Sequence, residues 1–143
     1  MSFDDELALE IADLVSAGDV RVLESSDDYI RLLEETYPWG GSKIDWARVP
    51  NAIGERNSDS NDVAGCRAFT LKVLRDHVLS GEVVYISDSA LDISLIFSVA
   101  KLSKMVPILV QYPQHHYFME KDAKWCLVFT HEGDMDFGFQ PPR

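Results

Sequence analysis

Positive charge is what this chain has least of. Its 143 residues carry 13 Lys and Arg against 24 Asp and Glu, a net charge of −11. Nucleic-acid binding relies on Lys and Arg neutralising phosphates, so direct contact with DNA or RNA is not expected. Cysteine is scarce too. Cys66 and Cys126 lie in apolar surroundings without metal-ligand spacing and read as free, reduced and buried. No apolar run reaches the ~20 residues a membrane helix needs. The stretch from Met1 to Leu7 is acidic, where a secretory signal has a basic start and an unbroken apolar run. The cytoplasm is therefore the expected compartment. There are no internal repeats, no Gly-x-Gly-x-x-Gly or phosphate-loop pattern, and no Gly-x-Ser-x-Gly elbow to expose a serine. No cofactor, metal or catalytic residue is expected.

What is present is one domain's worth of chain, 46% hydrophobic, long enough to bury roughly 68% of its unfolded surface. The acid is unevenly spread. Residues 1–40 hold eleven of the carboxylates against Arg21 and Arg31, a balance of −9 out of −11. Such a surface suits a basic protein partner, because complementary charge speeds encounter and disfavours wrong partners. The plainer reading is that the acid serves solubility alone.

Phe3, Leu7, Ile11, Leu14 and Val15 recur at helical spacing with Glu6, Glu10 and Asp13 opposite, and Gly18 follows as a C-terminal cap. Residues 19–24 suit a short strand. A second helix starts at Ser25, paired with Asp28 as a capping box. It carries Tyr29, Leu32, Leu33 and Tyr37 on one side, Asp27, Arg31, Glu34 and Glu35 on the other, and Pro38 stops it. Periodicity then fails over 39–61, which read as an irregular loop pinned by Trp46. Trp39, beside Gly40 and Gly41, is either an exposed interface anchor or a packed lid. Asp62 opens a third helix with Val63, Cys66, Phe69, Val73, Leu74 and His77 or Val78 inside, and Gly81 closes it. Arg67, Lys72 and Arg75 face outward on it, as a solvated face or as partners for the acidic helices.

Two apolar runs, 82–86 and 107–112, flank a segment that suits a helix of about sixteen residues capped by Ser89 and Asp92. That is a β-α-β unit, implying parallel strands and a right-handed crossover. Residues 115–119 and 125–130 form a hairpin around the polar turn 120–124, and 135–139 add a short strand. The expected architecture is a single α/β domain, with α+β as the alternative: a mixed sheet with a central βαβ unit, a C-terminal hairpin and packed helices. It divides into an acidic helical part (1–38), the loop (39–61) and the remainder (62–139).

Candidate chemistry is thin. Ligands bind beyond the carboxyl ends of parallel strands, which here brings residues 87–89 towards 112–115. Ser89, Asp88 and His115 can be drawn there as a hydrolase-like triad, but Asp88 and Ser89 have sufficient work as helix caps. His115 and His116 are adjacent, so on a strand they face opposite ways and do not share a metal. Asp134-x-Asp136-x-Gly138 has the opening of a calcium loop but lacks its sixth-position Gly and twelfth-position Glu.

The segments Trp125-Cys126, Phe129-Thr130-x-Glu132-Gly133 and Asp136-Phe137-Gly138-Phe139, with residues 113–119 before them, resemble immunity proteins of bacterial contact-dependent growth inhibition and related polymorphic toxin systems. The likeness covers about the last thirty residues. It implies a cytoplasmic inhibitor, monomeric in a 1:1 complex, that binds a cognate toxin domain and blocks its active site or substrate groove. Many such toxins are nucleases, whose clefts are basic, so an acidic surface can occupy one as a mimic of nucleic acid. The interface candidates are Asp27, Asp28, Glu34 and Glu35 on one helix and Glu6, Glu10 and Asp13 on another. Trp39 joins them, with Glu132, Asp134 and Asp136 in the terminal turn as the second surface. Neither a direct nucleic-acid partner nor a membrane is expected. The alternative is a small hydrolase-like α/β enzyme with its site at the βαβ strand ends.

Overall fold

A computed structural model describes residues 2–57, 62–88 and 91–142. Seven strands make one sheet: β1 (Val20–Leu23), β4 (Ile53–Arg56), β5 (Glu82–Ser87), β6 (Ser94–Ser98), β7 (His116–Glu120), β8 (Trp125–Phe129) and β9 (Asp134–Phe139). Their spatial order is β1-β6-β5-β7-β8-β9-β4, and every pairing is antiparallel. A two-residue hairpin, β2 (Trp39–Gly40) with β3 (Lys43–Ile44), stands apart from it. The helices are α1 (Phe3–Glu10), α2 (Ala12–Ser16), α3 (Asp27–Thr36), α4 (Val63–Asp76) and α5 (Leu102–Leu109).

Side chains alternate across a strand, and here both faces of the central strands are covered. Val83, Tyr85, Leu95, Phe97, Phe118, Leu127, Phe129 and Phe137 face one way, against Leu7, Ile11, Cys66, Phe69, Val73, Leu102 and Met105 of α1, α4 and α5 and the residue between α1 and α2. Val84, Ile86, Ile96, Tyr117, Met119, Cys126 and Val128 face the other way, towards Leu33 and Tyr37 at α3 and Ile44 and Val49 beyond it. The single α/β domain is thus three-layered, helices on each side of the sheet.

The hairpin around the polar turn stands where alternation placed it, Tyr117 opposite Val128 and Met119 opposite Cys126. The βαβ unit does not form. Residues 94–98 of the expected helix are β6, set between β5 and β1, residues 99–101 make a 3-10 turn, and only residues 102–109 are α-helical. The expected strand 107–112 instead ends α5, with Pro107 inside the helix and Leu109 and Val110 buried. A strand flanked on both edges and covered on both faces is apolar throughout, so its run carries no period that separates it from a buried helix. Only residues 88–93 lie between β5 and β6, too few for a parallel crossover. Ser89, expected as a helix cap, lies outside the described residues.

Of the expected 39–61 loop, residues 39–57 are more ordered than expected, holding β2, β3, a 3-10 turn at Trp46–Arg48, and β4, and residues 58–61 lie outside the described residues. Edge strand β4 buries no side chain fully, so it has no alternation to read. Trp46 does pin this segment, packing 6.4 Å from the Tyr37 ring. The expected capping box on α3 is not made: Ser26 is the N-cap, and Ser25 Oγ accepts from the Asp27 amide at 3.2 Å. Helix α4 ends at Asp76, and Gly81, at φ +95°, turns the chain into β5 instead of closing the helix. His77 packs 5.2 Å from the rings of Phe137 and Phe139, leaving Val78 in solvent.

Gly138 shows how closely the 46–52 segment sits on the sheet. A methyl group there would come within 2.8 Å of Val49 Cγ1 and 3.0 Å of the Trp46 ring. Gly138→Ala is expected to lower stability by about 1–3 kcal/mol through overpacking, read as a lower urea midpoint with unchanged slope.

Candidate functional site

The acidic side chains expected to form one surface occupy two. Asp27, Asp28, Glu34 and Glu35 are exposed on α3, over one face of the sheet. Glu6, Glu10 and Asp13 are exposed on α1 and α2, which pack over the other. The two sets are separated by the sheet and do not form a common patch. On α3 only Asp28 has an ion pair among the described residues, to Arg31 at 3.7 Å. Glu10 accepts a hydrogen bond from Gln111 Nε2 at 2.9 Å, tying α1 to the end of α5. Asp4, next to these acids, accepts from the Asp92 and Ile93 amides at 2.9 and 3.3 Å and so holds structure.

The terminal-turn acids differ. Glu132 pairs with Lys43 at 3.0 Å, and that hydrogen bond holds its carboxyl below the usual range. Asp134 pairs with Arg56 at 3.0 Å and accepts from Thr130 Oγ1. Asp136, half-buried on the face that carries Val128, is pushed up to about 6 by burial and then by the Asp134 charge. Two of these three acids are thus already matched to cations from β3 and β4. Two of the three basic residues of α4 are matched too, Lys72 to Glu55 at 2.8 Å and Arg75 to Asp76 at 3.3 Å. Their partners are β4 and α4 itself, not the acidic helices.

Trp39 is half-buried, its ring 6.1 Å from that of Tyr117, and its indole Nε1 is buried with no partner among the described residues. Together they line an open groove of about 230 Å³ with Ile30, Leu33, Ile86, Ser42 and Ser87, rimmed by Glu34 and Asp88. The sequence names Asp88 as a helix cap and triad candidate, not for this groove, and does not single out Tyr117. The alternation that puts His116 on one face and Tyr117 on the other is the signal that finds Tyr117.

Segments 87–88 and 112–116 do converge, but as antiparallel neighbours, with Ser87 opposite His116. What they build is a buried hydrogen-bond chain. The Leu91 amide donates to Gln114 Oε1 at 2.9 Å, and Gln114 Nε2 donates to Tyr85 Oη at 2.8 Å. Tyr85 Oη lies 2.6 Å from His116 Nδ1, and His116 Nε2 lies 2.9 Å from the Tyr112 carbonyl. A carbonyl only accepts, so Nε2 carries the proton and Nδ1 takes the Tyr85 hydroxyl. Burial pushes His116 down to about 4 and the Tyr85 phenol well above its ordinary value. His115 Nδ1 accepts the His131 amide at 2.9 Å, and no hydrogen bond joins it to Asp88 among the described residues. Of the hydrolase-like triad, Asp88 lines the groove, His115 caps the terminal turn, and Ser89 lies outside the described residues.

No group of three or more His, Cys, Asp or Glu among the described residues is arranged to hold a metal ion, and none of their helices is long and apolar enough to cross a membrane. Cys66 and Cys126 are free and buried. No protein-family model matches the chain, and no curated protein matches it either.

Proposed function

We propose that this chain is a cytoplasmic immunity protein that binds a cognate bacterial toxin domain and neutralises it by setting an acidic surface against a basic, nuclease-type cleft. The observation that carries this reading is the division of the acids. Asp27, Glu34 and Glu35 stand exposed with no ion pair among the described residues, while Glu132 and Asp134 are engaged by Lys43 and Arg56. Unpaired carboxylates in water retain their field and steer a cationic partner, whereas internally paired ones largely cancel theirs. The α3 face adds the half-buried Trp39 to its charge, the aromatic type over-represented at interface cores. The face of α1 and α2 ranks second because Glu10 is tied to Gln111.

The reading implies one partner in a 1:1 complex and no catalytic step by this chain. It is tested by co-expressing the chain with the C-terminal domain of a large secreted protein encoded directly upstream. Restored growth and a co-purified 1:1 complex are expected. Growth arrest that persists at excess of this chain, or a neighbourhood of metabolic genes without such a protein, contradicts it.

A further inference from the structure

Within that reading, we propose that the groove between α3 and the β2–β3 hairpin is the docking point for one arginine side chain of the basic partner. The floor is apolar and aromatic, with Ile30 and Leu33 from α3, Ile86 from β5, Tyr117 from β7 and Trp39 from β2. Two carboxylates, Glu34 and Asp88, stand on its rim, and neither has a cation partner among the described residues. The cations carried by α3 and the hairpin are committed elsewhere, Arg31 to Asp28 and Lys43 to Glu132.

Size and chemistry choose the occupant. A volume of about 230 Å³ falls below the roughly 300–1,000 Å³ of small-molecule pockets and suits a single long side chain. Aromatic rings beneath two carboxylates match a guanidinium, which lays its planar face on a ring and donates in a fixed fork to carboxylates. A lysine ammonium supplies charge without the plane, and is more strongly hydrated. Asp88 stands close enough to Tyr117 for its charge to add to burial in raising the phenol. Both line the same groove, so carboxylate and ring lie within reach of one guest.

The test uses the intact chain and N-acetyl-arginine methylamide as probe, followed by residue-resolved amide NMR at low salt. Saturable shifts are expected on groove amides and on the Trp39 indole N–H. The lysine analogue should bind severalfold more weakly, and Glu34→Gln with Asp88→Asn should weaken the arginine probe at least fivefold. Shifts spread evenly over the acidic surface, or undiminished in the double variant, overturn the proposal. The probe needs no toxin, so the two readings fail separately. A chain that neutralises its toxin but ignores the probe removes the anchor and leaves the functional reading standing. A chain that takes the probe but protects against no toxin keeps the groove and removes that reading.

Discussion

Tyr85→Phe is expected to destabilise the fold by about 2–4 kcal/mol, though it deletes one oxygen from a residue that is otherwise pure core. The hydroxyl donates to His116 Nδ1 at 2.6 Å and accepts from Gln114 Nε2 at 2.8 Å. Phenylalanine keeps the ring contacts with Phe118, 5.0 Å away, so packing changes little. What remains is a buried imidazole nitrogen without its donor, at roughly 1–3 kcal/mol, and one hydrogen bond fewer on the Gln114 amide, at roughly 1 kcal/mol. Urea unfolding reads this directly, and a loss below 0.5 kcal/mol would mean the chain is not closed as described. The same network sets an acid limit. His116 titrates at about 4 when folded against 6.5 ordinarily, so between those values the unfolded chain takes a proton that the folded one refuses. Its contribution is therefore full above pH 6.5 and lost as pH falls towards 4, on the order of 3 kcal/mol in all. His116→Gln is expected to be less stable at neutrality and to lose this part of the pH slope.

Reversing charge on α3 should have the larger effect on binding. Glu34→Lys with Glu35→Lys moves the net charge from −11 to −7 while touching no buried group. Electrostatic steering lifts association from roughly 10⁵–10⁶ to as much as 10⁸–10⁹ M⁻¹s⁻¹ at low salt. Removing most of it from the contacting face is expected to slow association with the toxin domain about 10- to 100-fold. Glu6→Lys with Glu10→Lys makes the same change of net charge behind the sheet, and less than threefold is expected there. Equal losses from both pairs would show that net charge alone matters and that the α3 face is not the contact. Circular dichroism of each variant checks that the fold survives.

The parts of this architecture that lay open in the sequence are those in which one face is wet. The hairpin of β7 and β8 showed itself by its polar turn, and α3 by Leu33 and Tyr37 against Glu34 and Glu35. Residues 91–112 were opaque because their apolar runs are buried in the sheet and against it, with exposed residues too scattered to mark a face. Ile96 and Phe97 in β6 and Val106 and Leu109 in α5 are all buried, so no solvent face imposes a period. Strand β4 failed in the opposite way, with Gly54, Glu55 and Arg56 exposed and held by backbone pairing to β9. The surplus of acid near the N-terminus was legible. Its division between two layers was not, because which side of a sheet a helix covers depends on how the chain enters and leaves β1. Trp39, Glu34 and Asp88 were all named from the sequence, in separate roles, but only the fold brings them together around Tyr117.

The most direct measurement is the association rate of this chain with the upstream-encoded toxin domain, by stopped flow, between 50 mM and 1 M NaCl. Screening shortens from about 10 Å at 0.1 M to about 3 Å at 1 M. If unpaired carboxylates of α3 steer the encounter, the rate should fall at least tenfold across that range, and the α3 double reversal should flatten the dependence. A rate that is independent of salt would contradict an acidic surface as the means of recognition.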